Sequence, residues 1–255
     1  MSLKNEVGNI AWYSLMTHNP STAIDYYTKL LSWEVMDYEI EGFGKAKLFQ
    51  AAGQKFAGPM DLNDVKELPS HWIPYFAVES VDEKCQQIKS LAGEVCFEPF
   101  DMPTIGRTAI VSDPQGTVFQ IFTPEDPKAD VNVMGGSIGQ PCWLELMAKD
   151  PKSLATFYGT ILSLEVEEQD MGEGAYFIIK KGDHMVAGIT AVPEGFPETK
   201  YWLPYFMVTD AEASSSISHE LGGESLSPAR TISGVGTFTL QKDPTGALFY
   251  LFQGE

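Results

Sequence analysis

The chain has 255 residues, 44% hydrophobic and 12% aromatic, a composition that fits a globular protein and excludes disorder. Its formal charge of −18, from 35 acidic against 17 basic residues, repels phosphate backbones and anionic lipid surfaces, so neither nucleic acid nor membrane is an expected partner. No apolar run reaches the roughly 18–20 residues that span a bilayer, and residues 1–6 lack the apolar core of a secretion signal, so a soluble cytoplasmic protein is expected.

The chain opens on residues 10–16, a strand by their bulky apolar content. Asn19-Pro20 then supplies a helix N-cap and a first-turn proline, and Ile24, Tyr27 and Leu31 follow at helical spacing. Three short strands are expected at 33–40, 46–51 and 55–60, punctuated by Gly42, Gly44 and Gly53. The plan then repeats. Residues 73–78 form a strand whose Pro74 suggests a strand start or a sheet edge. Ser80 and Glu83 make a capping box, Cys85, Ile88 and Leu91 give the next helix its apolar side, and Gly93 ends it. Strands at 94–98, 107–112 and 117–123 complete the unit: strand, helix and three strands, written twice as a βαβββ pair.

Residues 125–140, with Pro127 and Gly135-Gly136, read as a linker between a first domain over 6–124 and a second over 141–255. The second restates the first. Trp143 answers Trp12, Asp150-Pro151 answers Asn19-Pro20, and residues 162–166 (LSLEV) answer 31–35 (LSWEV). Residues 186–188 answer 56–58, and 201–206 (YWLPYF) answer 71–76 (HWIPYF). The turn Asp113-Pro114-Gln115-Gly116, which feeds an aromatic strand, recurs 130 residues later as Asp243-Pro244-Thr245-Gly246. Matches at offsets of 130 or 131 mark a duplication. Each half is long enough to bury about two thirds of its unfolded surface, so each is expected to close its own core.

The ordered series of strand, NP or DP, helix ending in Tyr26-Tyr27 or Phe157-Tyr158, Leu-Ser-x-Glu-Val, and DPxG before an aromatic strand resembles the vicinal oxygen chelate superfamily, which includes glyoxalase I, bleomycin-resistance proteins and extradiol dioxygenases. The resemblance covers nearly the whole chain and implies an α+β fold of two tandem glyoxalase-like domains. In each, a βαβββ pair curls a mixed sheet into a cup with helices outside it. It also implies a small-molecule ligand in the cup and, in metal-dependent members, a divalent ion held there by His, Gln or Glu on the first strand and Glu on the last.

The corresponding positions here are Trp12 and Gln120 in the first unit and Trp143 and Tyr250 in the second, and the matching neighbourhoods on the intermediate strands, 56–58 and 73–75, then 186–188 and 203–205, contain no His, Asp, Glu or Cys. Trp cannot ligate and Gln120 alone cannot hold an ion. No metal or other cofactor is therefore expected, with ligands from other positions the remaining route to one. His18, His71, His184 and His219 fall in no ligand spacing, and Cys85, Cys96 and Cys142 form no CxxC pair.

With period-2 alternation, Trp12 and Ser14 share one strand face, as do Trp143 and Glu145. The resemblance points that face into the cup, with Phe56, Tyr75, Phe122, Tyr205, Phe249 and Phe252 as further candidate lining for a planar ligand. The same aromatics serve equally as core filling. Glu145 is either a surface carboxylate on an edge strand or a ligand acceptor or base. Arg107 is either solvated or reaches an anionic ligand. The ligand-binding candidates are thus Trp12, Ser14, Gln120, Trp143, Glu145, Tyr250 and Arg107, with Glu145 the candidate catalytic group. Two readings follow: a metal-free small-molecule binding protein, or an enzyme of glyoxalase, dioxygenase or hydroxylase type using Glu145 or an unorthodox metal site. The two domains are expected to pair within one monomer or across a homodimer.

Overall fold

A computed structural model describes residues 7–255 apart from 41, 43, 64, 66, 171–173, 195, 197 and 198. Residues 1–6, read above for a secretion signal and including the expected start of the first domain, lie outside the described residues. The first half runs β1 (Ile10–Thr17), α1 (Pro20–Leu31), β2 (Glu34–Ile40), β3 (Gly44–Ala51), β4 (Gln54–Asp61), β5 (His71–Ala77), α2 (Val81–Ser90), β6 (Glu94–Met102), β7 (Gly106–Ser112) and β8 (Val118–Pro124). The second runs β9 (Pro141–Ala148), α3 (Pro151–Leu162), β10 (Glu165–Asp170), β11 (Ala175–Lys181), β12 (His184–Ala191), β13 (Leu203–Met207), α4 (Ala211–Glu220), β14 (Glu224–Ser225), β15 (Arg230–Ile232), β16 (Gly236–Lys242) and β17 (Leu248–Gly254). This is the α+β tandem arrangement expected from the sequence. No helix among the described residues is long and apolar enough to cross a membrane.

Each half builds one mixed sheet of the same order. The first is β2-β3-β4-β1-β5-β8-β7-β6; the second is β10-β11-β12-β9-β13-β17-β16-β14, with β15 also pairing β16. Pro228 falls in the gap between β14 and β15, where the first sheet has the unbroken β6.

Local signals act where the sequence places them. The side chains of Asn19 and Asp150 accept from Thr22 N and Ser153 N, each at 3.0 Å, ahead of a first-turn proline. In both copies of Leu-Ser-x-Glu-Val the serine is the helix C-cap in the left-handed region, Ser32 at φ 54° and Ser163 at φ 56°. Ser80 accepts from Glu83 N. The helix it starts closes differently from expectation: Ala92 takes the positive φ of 63°, and Gly93 serves close approach, since a Cβ there would sit 2.5 Å from Ser112 O. Pro74 also departs from expectation. It lies in β5 at the sheet centre, between β1 and β8, where pairing with β8 begins only at Tyr75. The missing amide therefore leaves the β8 ladder whole. Pro204 repeats this, with β17 pairing from Tyr205.

The helices cover the convex side of each sheet, and the two convex sides meet. Tyr26 and Tyr27 on α1 reach past their own sheet to Phe249, with ring centroids 6.3 and 5.4 Å apart. Their counterparts Phe157 and Tyr158 on α3 reach Phe119 at 6.4 and 5.1 Å. One buried cluster consequently runs through both halves, from Trp33, Trp72 and Phe76 to Trp202, Phe206 and Phe249. The halves share a core rather than closing one each, because aromatic rings carried by the helices of one half pack on rings of the other half's sheet.

The twin turn fastens this seam. Asp113 Oδ1 accepts from Gln115 N at 2.8 Å and Thr117 N at 3.0 Å, holding its own turn, while Oδ2 accepts from Tyr158 of the other half at 3.0 Å. Asp243 does the same with Thr245 N at 2.7 Å, Ala247 N at 3.0 Å and Tyr27 at 3.1 Å. His71 and Tyr201, equivalent in the repeat, stack on one another with centroids 4.1 Å apart. Equivalent residues in mutual contact place a local two-fold axis between the halves.

Candidate functional site

With the convex faces joined, the opposite face of each sheet carries a separate small cluster. Alternation along β1 sends Tyr13 and Leu15 into the shared core and Trp12 and Ser14 to the other side. Along β9 it sends Leu144 and Leu146 inward and Trp143 and Glu145 outward. The strand registers match: Ser14 lies opposite Gly58 and Ile73, and Glu145 opposite Gly188 and Leu203.

The first cup is neutral. Ser14 Oγ lies 3.0 Å from the hydroxyl of Tyr75 and donates to Met60 Sδ at 3.4 Å. Gln120 is buried beside Tyr75 and accepts from Thr108 Oγ1 at 3.1 Å. Trp12, Phe122, Met102, Ile105, Ala129 and Val131 close around them. The last two come from the segment between the halves, which also runs along β1 with Val133 N bonded to Ile10 O at 2.9 Å.

The second cup holds a carboxylate. Glu145 is 8% exposed in a central strand, so it is not a surface residue on an edge. Its Oε1 accepts from Tyr205 at 3.0 Å and its Oε2 from Tyr176 at 2.9 Å; the Tyr176 hydroxyl in turn accepts from Trp143 Nε1 at 2.9 Å. Burial pushes the Glu145 carboxyl above the usual carboxylate range; the two tyrosine hydrogen bonds and, more weakly, the charge of Arg230 pull it back. Tyr250 stacks on Tyr205 with centroids 4.2 Å apart and planes at 21°, and Phe238 completes an aromatic wall at 6.0 Å from Tyr205 and 5.9 Å from Tyr250. Gly188 makes the arrangement possible: a Cβ there would sit 2.0 Å from the Tyr176 hydroxyl. An open cleft of about 180 Å³ lies at the C-terminal end of β9, lined in part by Met147, which also packs in this cup's cluster.

Six of the seven sequence candidates therefore divide between two cups: Trp12, Ser14 and Gln120 in one, Trp143, Glu145 and Tyr250 in the other. Arg107 belongs to neither. It alternates with Thr108, which faces Gln120, and so points away, bonded to Asp82 at 2.7 and 2.9 Å and to Asp101 at 2.9 Å. Phe56 and Phe249 are also absent from the cups; both lie in the shared core. Phe249 neighbours Tyr250 in sequence, so alternation places it on the opposite face. Cys85 is core, with burial pushing its thiol up to about 11. His18 and His71 are engaged with the carbonyls of Leu68 and Pro69.

Tyr176 escaped the sequence reading. Its counterpart at the 130-residue offset is Ala46, so the duplication gives it no echo. The available signal was the alternation of Tyr176, Ile178 and Lys180 along a strand beside the Val186-Ala187-Gly188 match.

The donors present are a poor match to a divalent ion. Among the described residues no three His, Cys, Asp or Glu side chains converge. The first cup presents a hydroxyl, a phenol and an amide. The second presents one carboxylate with each oxygen already accepting a phenol. A hard cation needs several oxygen or imidazole ligands aimed at one point.

A family profile described as Glyoxalase/Bleomycin resistance protein/Dioxygenase superfamily matches residues 9–121, and one described as Glyoxalase-like domain matches residues 143–252. The chain is 28% identical over 247 residues to the "Putative glyoxylase CFP32" of Mycobacterium tuberculosis, covering 95% of this chain and 93% of that protein. It is also 28% identical over 259 residues to the Anthracycline biosynthesis protein DnrV of Streptomyces peucetius, covering 95% and 92%. Among solved structures, the Mn(II)-bound glyoxalase from Novosphingobium aromaticivorans superposes with a TM-score of 0.64 at 14% identity, over 97% of this chain and 82% of that one.

Proposed function

As a member of the vicinal oxygen chelate superfamily built from two tandem glyoxalase-like units, the chain is, we propose, a metal-free small-molecule binding protein that holds a small, partly aromatic ligand in an aromatic-lined cup. The observation that carries this reading is the donor set. Where metal-dependent members hold an ion, this chain has Trp12 and Gln120 in one unit and Trp143 and Tyr250 in the other. Flat rings with one polar edge suit a planar guest bearing a few polar groups. The similarity to an anthracycline biosynthesis protein supports a planar polycyclic aromatic as the class of guest. Titration calorimetry against a panel of aromatic metabolites tests binding, and silence across a broad panel overturns it. Elemental analysis of protein purified without chelator tests the metal: stoichiometric Fe, Zn, Ni or Mn overturns the metal-free reading.

A second reading, an enzyme of glyoxalase, dioxygenase or hydroxylase type, is favoured by one observation. Glu145 is a buried carboxyl whose affinity for protons is raised, the property of a general base. Mass spectrometry of any bound ligand after prolonged incubation separates the two: an unchanged ligand supports binding alone, and a product that disappears in Glu145→Gln supports the enzyme.

A further inference from the structure

The two cups differ at each position that would set the charge of a guest. We infer that the second cup is a site for an organic cation, an aromatic molecule carrying a protonated amine, bound once per chain. This inference rests on the binding reading above and narrows it.

The floor of the second cup is Glu145. None of the ion pairs among the described residues includes it. A carboxylate offers about four lone-pair sites, and Tyr176 and Tyr205 take two of them. A buried negative charge is costly, Arg230 offsets that cost only weakly, and a guest that brings a positive charge relieves more of it. The walls are suited to the same guest. Trp143, Tyr205, Tyr250 and Phe238 gather four aromatic rings in its cluster, and aromatic faces carry negative quadrupoles that attract cations. The chain's own Arg230 already uses this property at the rim, its guanidinium 6.0 Å over the Phe238 ring and its charge felt at Glu145. The overall charge of −18 raises the local concentration of cations and lowers that of anions.

A neutral phenol gains less there, because the protein's own tyrosines already supply neutral donors to Glu145. An anion meets repulsion from the same carboxylate. The first cup is an internal comparison. The repeat puts Ser14 where the second cup has Glu145, Ala46 at Tyr176, Gln120 at Tyr250, Thr108 at Phe238 and Phe100 at Arg230. Trp143 and Tyr205 have counterparts in Trp12 and Tyr75, but the carboxylate and the rings of Tyr250 and Phe238 are not duplicated, which is why one cation per chain is expected.

The test uses three probes of one shape: 1-naphthylmethylammonium, 1-naphthylmethanol and 1-naphthoate, titrated into the full chain by calorimetry. The expected result is one site per chain, with the ammonium bound at least about tenfold more tightly than either other probe and losing at least about tenfold in Glu145→Gln. Equal or tighter binding of the alcohol or the carboxylate overturns the cation inference while leaving the binding reading intact. So does ammonium binding at two sites, or binding unchanged in Glu145→Gln. If no probe binds, this inference fails, and the metabolite panel decides the broader reading separately. If Glu145→Gln does not fold, Tyr176→Phe removes one hydroxyl from the same carboxylate, and the order of the three probes on the unaltered chain still decides the question.

Discussion

The seam between the halves and the two cups are built from the same duplicated strands, yet they treat the duplication in opposite ways. At the seam the copies agree: Tyr27 with Tyr158 and Asp113 with Asp243 make the same hydrogen bond twice, and Trp72 with Trp202, Phe76 with Phe206 and Phe119 with Phe249 fill one shared cluster. In the cups they disagree, Ser14 against Glu145 and Gln120 against Tyr250. The difference follows from what each residue faces. A seam residue packs on the other copy, so its shape is constrained by a partner built the same way. A cup residue faces only its own sheet and whatever enters, so the two sides answer to separate demands.

Four measurements would break or sharpen this contrast. The largest effect is expected for Phe206→Ala, which removes a fully buried ring in contact with Tyr27, Trp33, Phe56, Trp72 and Phe249. A loss of about 3–5 kcal/mol is expected, read as one cooperative urea transition because the core is shared. Two separated transitions would mean that the halves fold independently after all. Next are Tyr158→Phe and Tyr27→Phe, each leaving a buried aspartate oxygen without its donor at a cost of about 1–3 kcal/mol. Tyr158→Phe should cost more, since it also takes the acceptor of Trp202 Nε1, 3.1 Å away, whereas Trp72 Nε1 makes no hydrogen bond among the described residues.

A smaller effect, confined to one cup, is expected from Glu145→Gln. Burial raises the folded-state affinity of Glu145 for its proton, so its contribution to stability is full in acid and is lost as pH rises through the folded value. The variant has no such loss, so its stability relative to the parent should increase as pH rises from the unfolded carboxylate range through the folded value. Denaturation midpoints across that range measure it, and a flat difference would make the second cup as indifferent to pH as the first. Least of all should follow from Arg107→Ala, which breaks only exposed ion pairs and should leave both the midpoint and ligand affinity unchanged. A loss of affinity there would return Arg107 to the site.

Much of this was legible before any coordinates. The capped helices, the DPxG turns and the face shared by Trp143 and Glu145 are local signals, each set by a few neighbouring residues, and the repeat is legible by comparing one half of the chain with the other. What stayed hidden depends on distance along the chain. The second role of each turn aspartate comes from a tyrosine 45 or 216 residues away, and nothing in the turn itself announces it. Tyr176 was hidden for lack of a counterpart. Phe249 and Arg107 were misplaced although strand alternation alone, counted from Tyr250 and Thr108, puts both on the other face. Pro74 misled because a general rule about edges gave way to a register that starts one residue later.

The segment joining the halves has a consequence that concerns symmetry rather than stability. Trp33 Nε1 donates to Gly139 O at 2.7 Å, and Gln54 and Gln140 bond each other at 2.9 Å, so this segment ties the first half to the start of the second. A pair of identical subunits related by a two-fold axis must carry two identical sites, and any substitution appears in both. Once the two subunits are one covalent chain, that obligation lapses. One pocket can take on a charge while its twin stays neutral, with the interface between them left as it was.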